Sequence, residues 1–422
     1  MMGGSNINAV PSSRKIYYTA GEKITPSENS LGSKVQLNMY DATTKNGVIV
    51  TKSDITTIKD RAFSYCSTLT SIVIPDSVTE IGDYVFYECV LLTSVTIPNS
   101  VKTIGYGAFG YCESLNSITI PNSVTTIEGT AFSNCKALTS ITIPDGVTNI
   151  GYRVFGYCES LTSVTIPDSV TSIAESMFYD CPSLTSVNIP NSVTTIGQSA
   201  FSGCSSLTGV IIPNSVTTIG QYAFNGCNLT SIIIPDGVTS IEEGVFYNCV
   251  ALTSITIPDS VTSIGYRAFG SCDNLTSITI PDNVISIGTY AFFDCISLTS
   301  VTIPDGVVNI GDRTFHRCYN LINVTIPDSV TSIGKEAFQY CNSLTSVTIP
   351  ASVTTIGEGA FGSCANLTST YCKPITPPSV DNYVFTIYDD GRKIYVPMES
   401  VDAYKSATNW SRYADAIEGY DF

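Results

Sequence analysis

The sequence predicts a β-rich solenoid, and three observations carry the prediction. A cysteine recurs every 23 residues from Cys66 to Cys364, with a single 22-residue step between Cys227 and Cys249. A phenylalanine stands three residues before each of these 14 cysteines, from Phe63 to Phe361. Thirteen prolines, Pro75 to Pro350, keep the same beat and the same slip. A fixed period of roughly 20–50 residues marks stacked units, none of which buries its apolar side chains alone.

One period, residues 252–274, reads LTSITIPDSVTSIGYRAFGSCDN. Leu252-x-x-Ile255-x-Ile257 has the alternation of a strand with one face buried. Pro258 has no N–H to donate, so it closes that strand. Asp259 and Ser260 suit the turn after it, through side-chain bonds to nearby amides. Val261 and Ile264 start a second short extended piece. Gly265 permits a sharp bend, and Tyr266 to Cys272 is expected to make a short helical turn with Ala268, Phe269 and Cys272 inward.

The joint proline, phenylalanine and cysteine register resembles the BspA-like leucine-rich repeat, also known from a treponemal protein. The resemblance covers about three quarters of the chain. It implies a right-handed, curved leucine-rich-repeat superhelix with a role in adhesion or recognition at a cell surface. Three segments are expected. Residues 1–52 form a β-rich N-terminal cap, with Asn46-Gly47 as a hairpin turn. Residues 53–370 form about thirteen turns of solenoid, and Ile55 and Ile58 open it as a half-repeat. Residues 371–422 form a hairpin turning near Asp390-Gly391 and then a capping helix. That helix carries Val401, Tyr404, Trp410, Tyr413 and Ile417.

Composition narrows the function. Charged residues are 13% of the 422, about half the usual share. Asp and Glu outnumber Lys and Arg by 36 to 20, a net charge of −16, so nucleic acid and anionic lipid are poor partners. No stretch approaches the roughly 18–20 apolar residues of a membrane helix, so membrane insertion is not expected. The opening MMGGSNINAVPSSRK has no apolar core of the kind a secretory signal needs.

Chemical signals are sparse. The single histidine, His316, removes most of the chemistry built on imidazole pairs or triads, and its variable slot suggests the surface. The 15 cysteines lack the short spacings of zinc ligands. One thiol per turn, about 5 Å from the next, approaches disulfide range. A small buried residue packed behind its phenylalanine is the better reading. Cys372 lies outside the ladder and is expected to be the exposed one. GYGAFG at 105–110 and GEGAFG at 357–362 match a dinucleotide fingerprint, but they are the repeat's own Ile-Gly-x-x-Ala-Phe segment with extra glycines. Asp236, Asp259, Asp282, Asp305 and Asp328 stack oxygen ligands suited to calcium, yet as turn residues they need no ion. Asn-x-Ser/Thr at Asn228, Asn274, Asn323, Asn366 and Asn409 reads as chance in a chain so rich in serine and threonine. No cofactor and no metal are expected, and no catalytic residues.

Two surfaces remain as binding candidates. The strand's outward slots are nearly always serine and threonine, as at Ser140 and Thr142 or Ser163 and Thr165. Variation sits after Ile-Gly and beside Phe-x-x-Cys, where 14 of the 24 tyrosines lie with several arginines. Tyrosine and arginine are common interface anchors, so Tyr106, Tyr111, Tyr152, Arg153, Tyr157, Tyr266 and Arg267 form the candidate site. The function read from this is a non-enzymatic recognition or adhesion scaffold for a protein or glycan. The alternative is a structural or receptor-binding part of a larger particle such as a phage appendage.

Overall fold

The computed structural model describes residues 7–386 and 391–422. The chain is a β-solenoid, and it divides into two compact units, Met1–Pro213 and Asn214–Phe422.

In the first unit, Val35–Asp41, Asn46–Thr51 and Lys15–Ala20 form an antiparallel sheet. Lys15–Ala20 also pairs antiparallel with Leu69–Val73, the first long strand of the repeats. From there the ladder is parallel, with Ile72 opposite Val95. Ser140–Thr142, Ser163–Thr165 and Ser186–Asn188 stack in the same way. A second parallel ladder of two-residue strands runs Thr57–Ile58, Glu80–Ile81, Thr103–Ile104, Thr126–Ile127 and Asn149–Ile150. The hairpin turn expected at Asn46-Gly47 lies just before it, at residues 42–45. Asp41 Oδ1 accepts the amides of Thr43 and Thr44 there, so an Asx turn directs the reversal. Gly47 serves another purpose: the Tyr18 ring lies where its Cβ would stand.

The second unit repeats the two ladders. Ser231–Ile233 pairs with Ser254–Thr256, and Ser300–Thr302 with Asn323–Thr325, in parallel. Ser346–Ile349, Ser369–Cys372, Lys393–Pro397 and Ile417–Tyr420 form a four-stranded parallel sheet. That sheet corrects the expected C-terminal hairpin. Residues 387–390 lie outside the described ones, and Lys393–Pro397 adds a further parallel rung. The capping helix is also shorter than expected. Val401–Ser406 is helical, and a 3-10 turn follows at Ser411–Ala416. Trp410 sits between them, fully enclosed.

The third side of each turn carries the largest correction. The segment expected as a short helical turn is a run of tight turns. Its backbone alternates, as residues 267–272 show. The amides of Ala268, Gly270 and Cys272 bond within the turn to Gly265, Arg267 and Phe269. Those of Arg267, Phe269 and Ser271 bond to Thr289, Ala291 and Phe293 of the next turn. The alternation needs left-handed φ two residues before and two after the phenylalanine, at Arg267 (φ 52°) and Ser271 (φ 56°). Arg61 and Tyr65, Arg153 and Tyr157, and Arg313 and Arg317 repeat the pattern. A non-glycine residue costs roughly 1–2 kcal/mol in this region, so inter-turn bonds and packing hold it there.

The core is a set of columns. In the first unit the rings from Phe63 to Phe201 stack with neighbouring centroids 5.3–5.8 Å apart. Beside them the cysteines from Cys89 to Cys204 do more than fill space. The Cys158 thiol donates to the Phe132 carbonyl at 3.3 Å, and Cys181 donates to Phe155 at 3.1 Å. The second unit does the same from Cys249 to Cys364. A thiol supplies a weak donor to a buried carbonyl, which alanine or valine lacks. The turn serine acts likewise. Ser169 and Ser260 donate to the preceding turn's Val147 and Val238 at 2.6 and 2.7 Å, in place of the local amide bonds expected.

Cys372 is fully buried against the Tyr404 hydroxyl, contrary to expectation, and the half-exposed cysteine is Cys66. Its turn is the first of the cysteine ladder, packed on the N-terminal segment rather than on another Phe-x-x-Cys turn. Burial nonetheless pushes its pKa up to about 11, leaving little thiolate at neutral pH. A maleimide reagent on the folded protein should therefore label Cys66 first, slowly at pH 7 and faster as pH rises toward 9. All 15 thiols should react after denaturation. Mass spectrometry that finds Cys372 modified first would contradict this burial.

Candidate functional site

The candidate residues project from the tight-turn side of both units. Tyr111, Arg153, Tyr157 and Arg267 occupy the left-handed positions, while Tyr106, Tyr152 and Tyr266 precede them at the bend. An extended or helical backbone would send alternate side chains elsewhere, so the turn alternation is what gathers them.

In the first unit the tyrosines form a connected belt. Tyr65 meets Tyr87 edge to face at 5.8 Å, and Tyr87 meets both Tyr84 and Tyr111 at 5.4 Å. Tyr84 meets Tyr106 at 5.3 Å, with the Arg61 guanidinium over its ring. Tyr106 and Tyr152 stand two turns apart and bond hydroxyl to hydroxyl. They close over Gly129, where a Cβ would lie 3.0–3.1 Å from both rings. A side chain at 129 would press on both rings. Arg153 lies over Tyr157 and Tyr179, 5.9 and 5.5 Å from their centroids. Tyr65, Tyr111 and Tyr152 remain 64%, 39% and 45% exposed, so the belt is open to solvent. The structure thus joins Tyr106, Tyr111 and Tyr152, and sets Arg153 with Tyr157 in a cation–π cluster beside them.

In the second unit Arg267 stands among three rings, 5.0 Å from Tyr266, 5.2 Å from Tyr290 and 5.7 Å from Tyr247. Arg313 bonds the Tyr290 hydroxyl and donates to Glu336 at 2.6 Å. That guanidinium holds the Glu336 carboxyl below the usual range. The Tyr222 phenol donates to Glu243, and burial first, then this bond, pushes its pKa up to about 12. The phenol therefore stays a neutral donor at physiological pH.

His316 is a correction. It is buried at 8% exposure, stacked on Phe293 at 5.4 Å and edge-on to Tyr340 at 5.6 Å. Desolvation lowers its pKa, so the ring is neutral and bonds Gln339 at 3.1 Å. Its slot lies one residue after the phenylalanine, the slot of Tyr87, Tyr179 and Phe293, and this homology was the available signal for an aromatic environment.

The strand side is less uniform than its serines and threonines suggest. Ser140, Thr142, Ser163 and Thr165 are exposed as rungs. In the threonine slot, however, the first unit places Ile211 at 85% exposure and the second Ile233 at 71%. Among the described residues no group of three or more His, Cys, Asp and Glu side chains is placed to hold a metal. No helix there is long and apolar enough to cross a membrane.

Comparison with known proteins bears on the repeat architecture. The model of a BspA-type leucine-rich repeat region of six copies matches residues 34–158, 125–251 and 239–368. A leucine-rich repeat protein from Bacteroides ovatus is 32% identical over 88% of this chain and 89% of its own, with a TM-score of 0.69. A leucine-rich cell surface protein from Faecalibacterium prausnitzii is 34% identical over 73% of this chain and 94% of its own, with a TM-score of 0.49. No functionally curated protein matches.

Proposed function

The chain belongs to the BspA-type leucine-rich repeat proteins, and from that premise we propose a non-enzymatic recognition scaffold that binds a protein partner through its tyrosine- and arginine-bearing turn side. One observation carries the reading. The side chains that vary from turn to turn converge on a contiguous belt of half-exposed tyrosines around Tyr106 and Tyr152. Edge-to-face contacts fix the rings in advance, so a partner meets large amphipathic surfaces with little rotamer freedom left to lose. Arg153 and Arg267 add positive charge held over aromatic rings, in a chain that carries a net negative charge. Tyrosine recurs on several turns of the belt, which suits adhesion through several contacts at once.

The test uses a partner drawn from an array of purified extracellular proteins. Tyr152→Ala combined with Arg153→Ala should weaken its binding by more than about 1–2 kcal/mol in titration calorimetry. Thr142→Val with Thr165→Val should change it less. The opposite ranking would move recognition to the strand side and defeat this reading.

A further inference from the structure

The strand side of the second unit ends differently from the way it runs. Its outward slot holds Thr302, Thr325 and Thr348, then Tyr371 and Tyr395 in the two rungs that follow. Those two rings stack at 5.0 Å with 20° between their planes. Tyr420, from the last strand, lies 5.4 Å from both at steep angles, so it crosses the edges of the pair. Phe422 continues the cluster 5.1 Å further on. Tyr420 and Phe422 are 42% and 48% exposed. The Lys393 and Glu418 side chains, which share this face, are bonded to each other and leave it without a free charge of either sign from that pair.

We propose that this cluster, with the hydroxyl rungs leading up to it, is a subsite for an uncharged glycan. A pyranose presents an apolar C–H face and a rim of hydroxyls. Exposed aromatic rings match the first, and Thr348 and Ser346 on the neighbouring rung, which both donate and accept, match the second. An anionic glycan is disfavoured by a chain of net charge −16. A second copy of the chain is disfavoured by size. The half-exposed Tyr420 and Phe422 with the more covered Tyr371 and Tyr395 offer roughly 300 Å², less than half of the ~800 Å² that each partner of a stable dimer buries. Hydroxyls, not aliphatic side chains, extend the patch along the ladder. The site is separate from the tyrosine belt of the first unit and does not depend on it.

An array of neutral, sialylated and sulfated oligosaccharides tests the proposal. The protein should be retained by neutral glycans in preference to the charged ones. Tyr371→Thr with Tyr395→Thr gives those rungs the residue of Thr325 and Thr348, so the ladder is expected to fold, and circular dichroism with a thermal melt checks it. This variant should lose retention by about tenfold or more, the scale of one or two anchors. Tyr152→Ala with Arg153→Ala should leave it unchanged, which separates failure here from failure of the protein-binding reading. Retention of no neutral glycan, or full retention by the folded double variant, would overturn the proposal. So would a concentration-dependent dimer in ultracentrifugation that the variant abolishes, which would assign the patch to a second copy.

Discussion

Phe155→Ala should cost about 3–5 kcal/mol, the range for truncating a large buried aromatic side chain. The ring has no exposed surface and lies between Phe132 and Phe178, with centroids 5.7 and 5.8 Å away. Its removal strips contacts from three turns at once and leaves a void that stacked backbones cannot collapse to fill. The backbone bonds stay available, since the Phe155 amide donates to Met177 and its carbonyl accepts the Cys181 thiol. The loss is therefore one of packing, and Phe155→Leu should cost less, about 1–1.5 kcal/mol. Because each turn touches only its neighbours, the damage should stay local. Hydrogen exchange should show reduced protection around residues 132–178 and native protection near Ile58 and Ile81. Equal loss at all turns of the first unit would mean that the columns are not nearest-neighbour stacks.

Much of this fold was legible because the sequence compares itself. Phe, Cys and Pro at a fixed beat placed the core columns and the two strand ladders without a structure. What stayed hidden was conformational. Apolar spacing at Ala268, Phe269 and Cys272 fits a helical turn and a run of alternating tight turns equally well. Only the left-handed φ at Arg267 and Ser271 separates them, and neither residue type announces it. The thiol's role as a donor was hidden for a related reason. A buried cysteine reads as a small hydrophobe until the carbonyl opposite is placed. Variability did mark the tyrosine slots, but the reach of Tyr106 to Tyr152 depends on Gly129, which fills the same slot in the turn between them, one residue after the place of the repeat glycines Gly105 and Gly151. The C-terminal error came from length. Residues 383–397 have strand character on both sides of Asp390-Gly391, and a hairpin is the shortest way to satisfy it locally. The parallel rung offered by Ser369–Cys372 pairs Lys393–Pro397 instead, and it also buries Ile394 and Val396.

Trp410→Ala should be comparably severe, at about 3–5 kcal/mol, with its effect confined to the end of the second unit. The indole is 1% exposed and packs edge to face on Tyr404 at 4.9 Å, with Phe385 and Tyr413 each 6.3 Å away. Its N–H donates to the Pro378 carbonyl at 2.8 Å. Tyr404 and Tyr413 make matching bonds to the carbonyls of Pro374 and Phe385. Three aromatic side chains of one short segment thus close the carbonyls of Pro374, Pro378 and Phe385, cover of the kind a capping segment gives a stack of turns. Trp410→Phe keeps most of the apolar contact but leaves the Pro378 carbonyl without this donor, so about 1–3 kcal/mol should still be lost. Hydrogen exchange should weaken in Ser379–Val380, Lys393–Pro397 and Ile417–Tyr420, while Ser254–Thr256 keeps its protection. The wild-type tryptophan is the chain's only one. Its emission should be blue-shifted in the native state and should move red at a lower denaturant concentration than the loss of strand signal. Simultaneous transitions would show that this end unfolds with the rest of the unit, and unchanged protection of the three terminal strands in the alanine variant would show that they hold together without the aromatic wedge.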